Sequence, residues 1–575
     1  MDRSWKVAAQ IKKSLLKEFP EWNKIILQLL YNRGILQKEG AEKFLFPKYK
    51  DLYDPFLFSD MKKAVALVRN SVKKKEKIVV YGDYDADGVT SATVLSRALK
   101  KIGGKVSVYI PDREKEGYGL NLPAVKFLLK KNAKLVITVD CGISNKEEVE
   151  LLKKNGSKVI VTDHHVPPQK VPDCPIINPQ YDKNYPFSDL AGVGVAFKFS
   201  QALFKSFALG EKQYKSFEAF EKWLLDLVAV GTIADCMPLI DENRILVKYG
   251  LIVLNKTKRP GLKALIKDSS LKQGEIKEQD VSFRLSPRIN AAGRMKHANL
   301  AFALLAAVSD IKANDAVKKL NEANIQRQKL TDKIVKNIIQ EIGEHPKEKV
   351  LFSFQEKCLV GVLGLVAGKI TDIYNRPSFV MTEKEGKIIG SGRSIPVFNL
   401  IDNLNKIKSF FSHFGGHSQA CGFTLKNKNL LEKFKEKFLK FAEGKIEKKD
   451  MIPIINIDME ISLKDITWEL YDILLNMSPF GEGNPKPRFL TRNLKVFSSR
   501  EVGQTGNHLK IFVNENLENS NCSRDCIGFG LGEEWKGKIK LGDKIDLVYE
   551  IEENHWNGNR EIQLKIIDLK HSQII

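Results

Sequence analysis

No stretch of this chain approaches the roughly 20 consecutive apolar residues that a membrane-spanning helix needs, so no membrane segment is expected. The opening MDRSWKVAAQIKKSLLKEF carries charges throughout and lacks the apolar core of a secretory signal. There is no CxxC pair among the seven cysteines, which are scattered at 141, 174, 236, 358, 421, 522 and 526. Cys522 and Cys526 are close, but no second pair completes a zinc site. A disulfide framework and structural zinc are therefore not expected, and a reducing, cytoplasmic location is. Internal repeats and low-complexity tracts are also missing. Acidic residues are in deficit: 70 Asp and Glu against 93 Lys and Arg, a net charge of +23. The basic residues are spread along the chain rather than packed in a tail. That points to a polyanionic partner, most simply nucleic acid, although a lysine-rich proteome would give the same surplus.

What is present is ample for several cores. At 575 residues, three or four domains are expected. Residues 1–50 read as a helical lead-in. Residues 78–240 alternate strand and helix: KIVVYG, KVSVYI, KLVITV and KVIVT are buried-strand runs separated by amphipathic segments. Such a βαβ repeat builds a parallel sheet. Residues 300–342 hold neither Pro nor Gly and carry apolar residues every three to four positions, which reads as a long helical spacer. A second α/β unit follows over 346–447. Past 448 the pattern turns to short alternating segments, the signature of a small all-β barrel.

The chemistry gathers at strand ends. KIVVYG runs into Asp83, Asp85 and Asp87, KLVITV into Asp140, and KVIVT into Asp163-His164-His165; a helix over 214–229 runs into Gly231-Thr232-Ile233-Ala234-Asp235. In an open parallel sheet these ends converge on one crevice. Carboxylates so placed repel one another, and a divalent cation is the simplest counter-charge. Two such cations about 4 Å apart polarise a phosphoryl oxygen and activate water, the usual machinery for phosphodiester cleavage. Asp140 stands alone before a tight turn and would suit a bridging position. Taken singly, an Asp at a strand end is more often a helix cap. The four groups together, in order, point to a metal site.

The motifs YGDYDADGVTS (81–91), TVDCGIS (138–144), TDHH (162–165) and VGTIADCMPL (230–239) resemble those of the DHH phosphoesterase superfamily. The further stretches IPDREKEGYGLN (110–121), LAGVGVAFK (190–198), SPRINAAGRM (286–295), GVLGLVAGKI (361–370), GSGRS (390–394), FGGHSQACG (414–422) and SPFGEGNPKP (478–487) resemble its branch of single-strand-specific 5′→3′ DNA exonucleases. The resemblance implies a DHH domain over 51–299, a connecting helix over 300–345, a smaller DHHA1 domain over 346–447 and an OB-fold over 448–575. It implies Asp85, Asp87, Asp140, His164 and Asp235 as metal ligands, with Asp140 bridging. Asp83 and His165 would support those ligands or touch substrate.

For the substrate, Arg113, Arg288, Ser391 and Arg393 are candidates to grip a terminal 5′-phosphate, since a guanidinium binds phosphate bidentately. Asn290, Arg294 and His417 are further backbone-contact candidates, and Tyr118 could stack on a base. The implied cofactors are two divalent cations, with histidine ligation favouring Mn²⁺ over Mg²⁺. The implied partner is single-stranded DNA with a 5′ end, with a helicase and a single-strand-binding protein as protein partners and the enzyme a monomer. Position 81 is Tyr where some superfamily members place a histidine ligand. Two other readings compete: a small-substrate DHH enzyme (an oligoribonuclease or cyclic-dinucleotide phosphodiesterase), and a non-catalytic DHH-fold replication scaffold. The first generally lacks a C-terminal barrel, and the second loses metal ligands.

Overall fold

The computed structural model describes residues 3–12, 22–515, 522–556 and 559–572. The chain forms two compact units, Tyr49–Ile452 and the pair Met1–Lys48 with Pro453–Ile575. In the larger unit, the strands Lys105–Tyr109, Lys77–Gly82, Leu135–Val139, Lys158–Thr162 and Ile176–Ile177 lie in that spatial order and all pair in parallel. Successive side chains of a strand point to opposite faces, and both faces here are apolar. Ile78, Val80, Ile137, Val139 and Ile160 pack with the helices on one side, and Val79, Tyr81, Val136, Val159 and Val161 with those on the other. Helices cover both faces, as the continuous β-branched runs require. The strand order reverses at Lys77–Gly82, which has Lys105–Tyr109 on one side and Leu135–Val139 on the other. The acidic motifs leave from the C-terminal ends at that switch point.

The helical stretch expected over 300–342 forms two helices, Asn299–Leu305 and Asp310–Ile342. The break has a local cause. Ser309 is extended (φ −141°, ψ 153°) and its side chain accepts from the Lys312 N–H, a helix start that the lack of Pro and Gly concealed. Nor is the long helix a free spacer. Ala313, Ala316, Val317 and Leu320 are buried in the core of the parallel sheet, and Ile334, Val335 and Ile338 in the core of the next layer. That layer is a five-stranded mixed sheet, ordered Phe411–Gly416, Ala420–Leu425, Lys387–Arg393, Ser378–Lys384, Leu351–Phe354. One helix thus anchors both lobes of the unit.

In the smaller unit the strands Phe489–Val502, His508–Asn514, Ser523–Gly528, Asn559–His571 and Lys544–Trp556 pair in sequence, and the last closes on the first. This is the closed five-stranded barrel of the OB type. The lead-in at 1–50 belongs to it. Ser4–Val7 pairs in parallel with Ile454–Ile457, and the helices Lys24–Asn32 and Lys38–Leu45 bury Ile25, Ile26, Leu29, Leu30, Phe44 and Leu45 in the barrel's core. Helices this short are marginal alone, and their apolar faces need a partner layer.

A buried ion pair ties four segments of the larger unit together. Lys198 and Glu242 are both fully buried, 2.7 Å apart, and Glu242 also accepts from the Tyr53 N–H and the Tyr185 hydroxyl. Removing one partner leaves an uncompensated buried charge. Lys198→Ala should lower the stability of the chain by about 3–5 kcal/mol in thermal or denaturant unfolding, and Lys198→Met with Glu242→Leu should recover most of that loss.

Candidate metal centre and phosphate cleft

Asp83 is 4% exposed, Asp87 1% and Asp140 3%. Asp85 closes the strand-to-helix turn and accepts from the Gly88 N–H, capping the helix Ala86–Lys101. Asp87, in the first turn of that helix, accepts from the Gly192 and Val193 N–H groups at 2.7 and 2.9 Å, the start of the helix Gly192–Phe207. A helix N-terminus is a favourable place for a carboxylate. No other side chain fits here. A Cβ at Gly192 would lie 2.6 Å from Asp140 Oδ1, and one at Gly231 2.9 Å from Asp87 Oδ1. Asp140 takes the left-handed backbone region (φ 60°), which is rare outside glycine and clusters at functional sites.

His164 Nε2 lies 3.1 Å from Asp140 Oδ1, 3.5 Å from Asp235 Oδ2 and 4.0 Å from Asp87 Oδ2. Three overlapping ligand sets fall out of the geometry, one of them Asp140, His164 and His165. Asp83, Asp85 and Asp140 offer oxygens within 4.8 Å of one another, and so do Asp87, His164 and Asp235. Asp140 faces both. Asp83, expected to support the ligands or touch substrate, has an oxygen within reach of Asp85 and Asp140.

The electrostatics fit cations. Asp83 and Asp140 each keep an oxygen, Oδ1, that is buried without a hydrogen-bond partner. Burial first, then the neighbouring carboxylates, push Asp83, Asp140 and Asp235 well above the usual carboxylate range and Asp87 up to about 7. Burial, then His165, push His164 down to about 4, so it stays neutral and able to ligate. Orphaned oxygens, mutually repelling carboxylates and a neutral imidazole are the donor set of a divalent cation, and these residues fit one on each side of Asp140.

The adjacent His165 is held differently. Its Nδ1 lies 2.8 Å from Asp163 Oδ1 and 3.0 Å from the Tyr118 hydroxyl. Burial opposes its charging, but the hydrogen bond to Asp163 wins and raises its pKa. Asp163, fully buried, also accepts from the backbone N–H groups of His164, His165 and Ile143. It sets the conformation of the whole motif. The sequence placed Asp163 in the acidic group but gave it no distinct role. The LAGVGVAFK motif, whose N–H groups hold Asp87, likewise carried no mechanism.

Across from the acids, a cavity of 1220 Å³ is lined by both lobes, including Arg113, Tyr118, Arg294, Ser391, Arg393 and His417. Arg113 lies over the Tyr84 ring at 4.9 Å. Arg294 donates to the Gly361 carbonyl, and Arg393 to Ser391 Oγ and the Gly392 carbonyl. None of the three has a carboxylate within 4 Å among the described residues. Burial, then Arg113, push Arg294 down to about 9, and the opposing pull of Asp85 does not offset them. The other two candidates sit elsewhere. Arg288 lies 3.7 Å from Asp268, donates to the Arg284 carbonyl and does not line the cavity. Asn290 Oδ1 accepts from the Ala86 N–H and so secures the start of the acidic helix.

A pH dependence follows. Asp87 titrates at about 7 against an ordinary 3.8. Between those values the folded protein holds more protons than the unfolded chain. The stability this gives is complete below about pH 4 and is lost as the pH rises through about 7. A cation must displace those protons. Mn²⁺ added to metal-free protein should therefore raise the melting temperature more at pH 8 than at pH 5; equal shifts at the two pH values would contradict this.

Comparison with known proteins agrees with this geometry. Residues 77–232 match the model described as DHH family, N-terminal domain, residues 347–447 the DHHA1 domain, and residues 457–568 the RecJ OB domain. The chain is 38% identical over 554 residues to the single-stranded-DNA-specific exonuclease RecJ of Bacillus subtilis, covering 96% of this chain and 68% of that protein. It is 31% identical over 577 residues to the RecJ of Haemophilus influenzae, covering 96% and 98%. The crystal structure of Thermus thermophilus RecJ in complex with Mn²⁺ superposes with a TM-score of 0.83 at 27% identity, covering 100% of this chain and 80% of that one. The chain therefore belongs to the RecJ family of single-stranded-DNA-specific exonucleases.

Proposed function

We propose that this protein degrades single-stranded DNA from the 5′ end, releasing 5′-mononucleotides by metal-dependent hydrolysis, in DNA recombination and repair. One observation carries the reading. A cleft lined by Arg113, Arg294 and Arg393, none within 4 Å of a carboxylate among the described residues, also carries His165, next to His164 and the crowded carboxylates. A DNA end bearing a 5′-phosphate, with divalent cations on the acids, satisfies arginines and acids alike. The C-terminal barrel weighs against a small-substrate DHH enzyme, and the filled ligand positions weigh against a non-catalytic scaffold.

In this reading Asp83, Asp85 and Asp140 hold one cation, and Asp87, Asp140, His164 and Asp235 the other, with Asp140 bridging. When bound, the cations neutralise charge on the scissile phosphate and activate water. Asp163 fixes His164 and His165. His165, held towards its charged form, donates a hydrogen bond to a phosphate oxygen. Arg113, Arg294, Ser391 and Arg393 grip the terminal 5′-phosphate, which places the next phosphodiester at the acids and gives the polarity. Arg288, engaged by Asp268, supports that wall from behind, and Asn290 secures the acidic turn. His417 lies on the floor of the cleft. Tyr118, its hydroxyl on the Asp140 carbonyl and 47% exposed, offers its ring for stacking. On the barrel, exposed Phe497 and Phe512 beside Lys495 and Lys510 form a comparable platform for a single strand.

Histidine ligation favours Mn²⁺ over Mg²⁺. We assign a cytoplasmic monomer that works with a helicase and a single-strand-binding protein.

The reading is tested by digesting 5′-phosphorylated linear single-stranded DNA, its 5′-hydroxyl form and the duplex, with and without Mn²⁺. Release of 5′-mononucleotides from the first, dependent on metal, is expected; equal digestion of the duplex would overturn it. Arg393→Ala should raise KM on the 5′-phosphorylated strand by about tenfold and leave the 5′-hydroxyl strand little changed. Gly192→Ala, which drives a methyl group into Asp140, should lower kcat on the order of 100-fold while the protein stays folded.

A further inference from the structure

Two contacts among the described residues join the lobes of the larger unit at the cleft. One is tight and backbone-mediated. Arg294 donates to the Gly361 carbonyl, and a Cβ at Gly361 would lie 2.4 Å from the Arg294 carbonyl oxygen. The other is an ion pair between the lobes: Lys384 Nζ lies 2.9 Å from Glu114 Oε2, and both residues line the cavity. Glu114 follows Arg113 directly, so this contact stands immediately beyond the arginine pocket.

An isolated surface ion pair contributes little. Here both partners are fixed in advance. On one lobe, Asp112 Oδ1 accepts from the N–H groups of Glu114 and Lys115, and Asp112 N–H donates to Glu116, which also takes the Tyr109 hydroxyl. On the other, Lys384 ends the strand Ser378–Lys384 at a two-residue hairpin. Its central residues, Glu385 and Gly386, take φ 53° and 74°, the twist-matched turn that holds a hairpin rigid. Two braced loops meeting tip to tip need little ordering to keep the contact closed.

We propose that the Glu114–Lys384 bridge closes the cleft past the phosphate pocket, so that a strand enters only by a free end. The pair is then a determinant of specificity for ends over internal phosphodiesters. It contributes nothing to the metals and is absent from the set of phosphate-gripping groups. Replacing either partner by a residue of like charge to the other pushes the tips apart and admits a strand with no end. The inference rests on the functional reading above, and the assay separates the two.

The test uses the full chain with Mn²⁺ and two substrates, covalently closed circular single-stranded DNA and a 5′-phosphorylated linear strand. Digestion of the linear strand by the unaltered protein checks the functional reading by itself. Glu114→Lys and Lys384→Glu should each raise circular cleavage relative to linear digestion by about tenfold or more. The swap Glu114→Lys with Lys384→Glu should return the ratio to its starting value. Adding Asp140→Ala to Glu114→Lys should abolish the cleavage, which assigns it to this site. Circles left intact by both single reversals, or cut equally by the swap, would overturn the proposal.

Discussion

The repulsion among buried carboxylates around Asp140 is the constraint on which the rest of this structure depends. Asp83, Asp87 and Asp140 are almost fully removed from water, and two of them keep an oxygen with no hydrogen-bond partner. Such groups are stable only when protonated or when met by positive charge. The fold supplies part of that charge through backbone dipoles. The start of the helix Gly192–Phe207 holds Asp87, and Asp163 takes three backbone N–H groups beside its histidine. None of this reaches Asp83 Oδ1 or Asp140 Oδ1. The residual demand is for cations, and the parallel sheet exists to place those oxygens on its switch point.

The complementary problem lies in the cleft. Arg113, Arg294 and Arg393 line it beside a ring, a backbone carbonyl and a hydroxyl, with no carboxylate within 4 Å among the described residues. Two unbalanced clusters of opposite sign would collapse onto each other if side chains could reach. Arg113 and Arg294 share the lobe of the acids and Arg393 comes from the other; one helix, Asp310–Ile342, whose two halves are buried in different cores, anchors both lobes. Packing energy thus maintains an electrostatic tension that a nucleic acid end with its metals can relieve. This is pre-organisation: the charges are aimed before the substrate arrives.

Much of this was legible in the sequence, and for physical reasons. The β-branched runs ending in acids identify strand termini, and strand termini in a parallel sheet share an edge, so Asp83, Asp85, Asp87, Asp140 and Asp163-His164-His165 could be grouped without coordinates; singling out Asp85, Asp87, Asp140, His164 and Asp235 took the family resemblance. The barrel was readable from short alternating segments. What was not legible depends on partners distant in sequence. Arg288 reads like Arg294 in SPRINAAGRM, but only the fold shows Asp268 beside one and the cleft beside the other. Asn290 lies in the same motif and turns out to secure Ala86. The N-terminal helices carry apolar faces whose partner layer begins more than 400 residues later, so local pattern could not assign them to the barrel. The stop at Ser309 was a capping signal outweighed by the helical periodicity around it.

The central claim is that Asp140 sits between two cation sites built from acids that the chain's own groups neutralise only in part. Anomalous X-ray diffraction at the manganese edge, from crystals of the full chain equilibrated with Mn²⁺, tests it most directly. Two peaks about 4 Å apart with the Asp140 carboxylate between them are expected. A single peak, or peaks remote from Asp83, Asp85, Asp87, His164 and Asp235, would contradict the account.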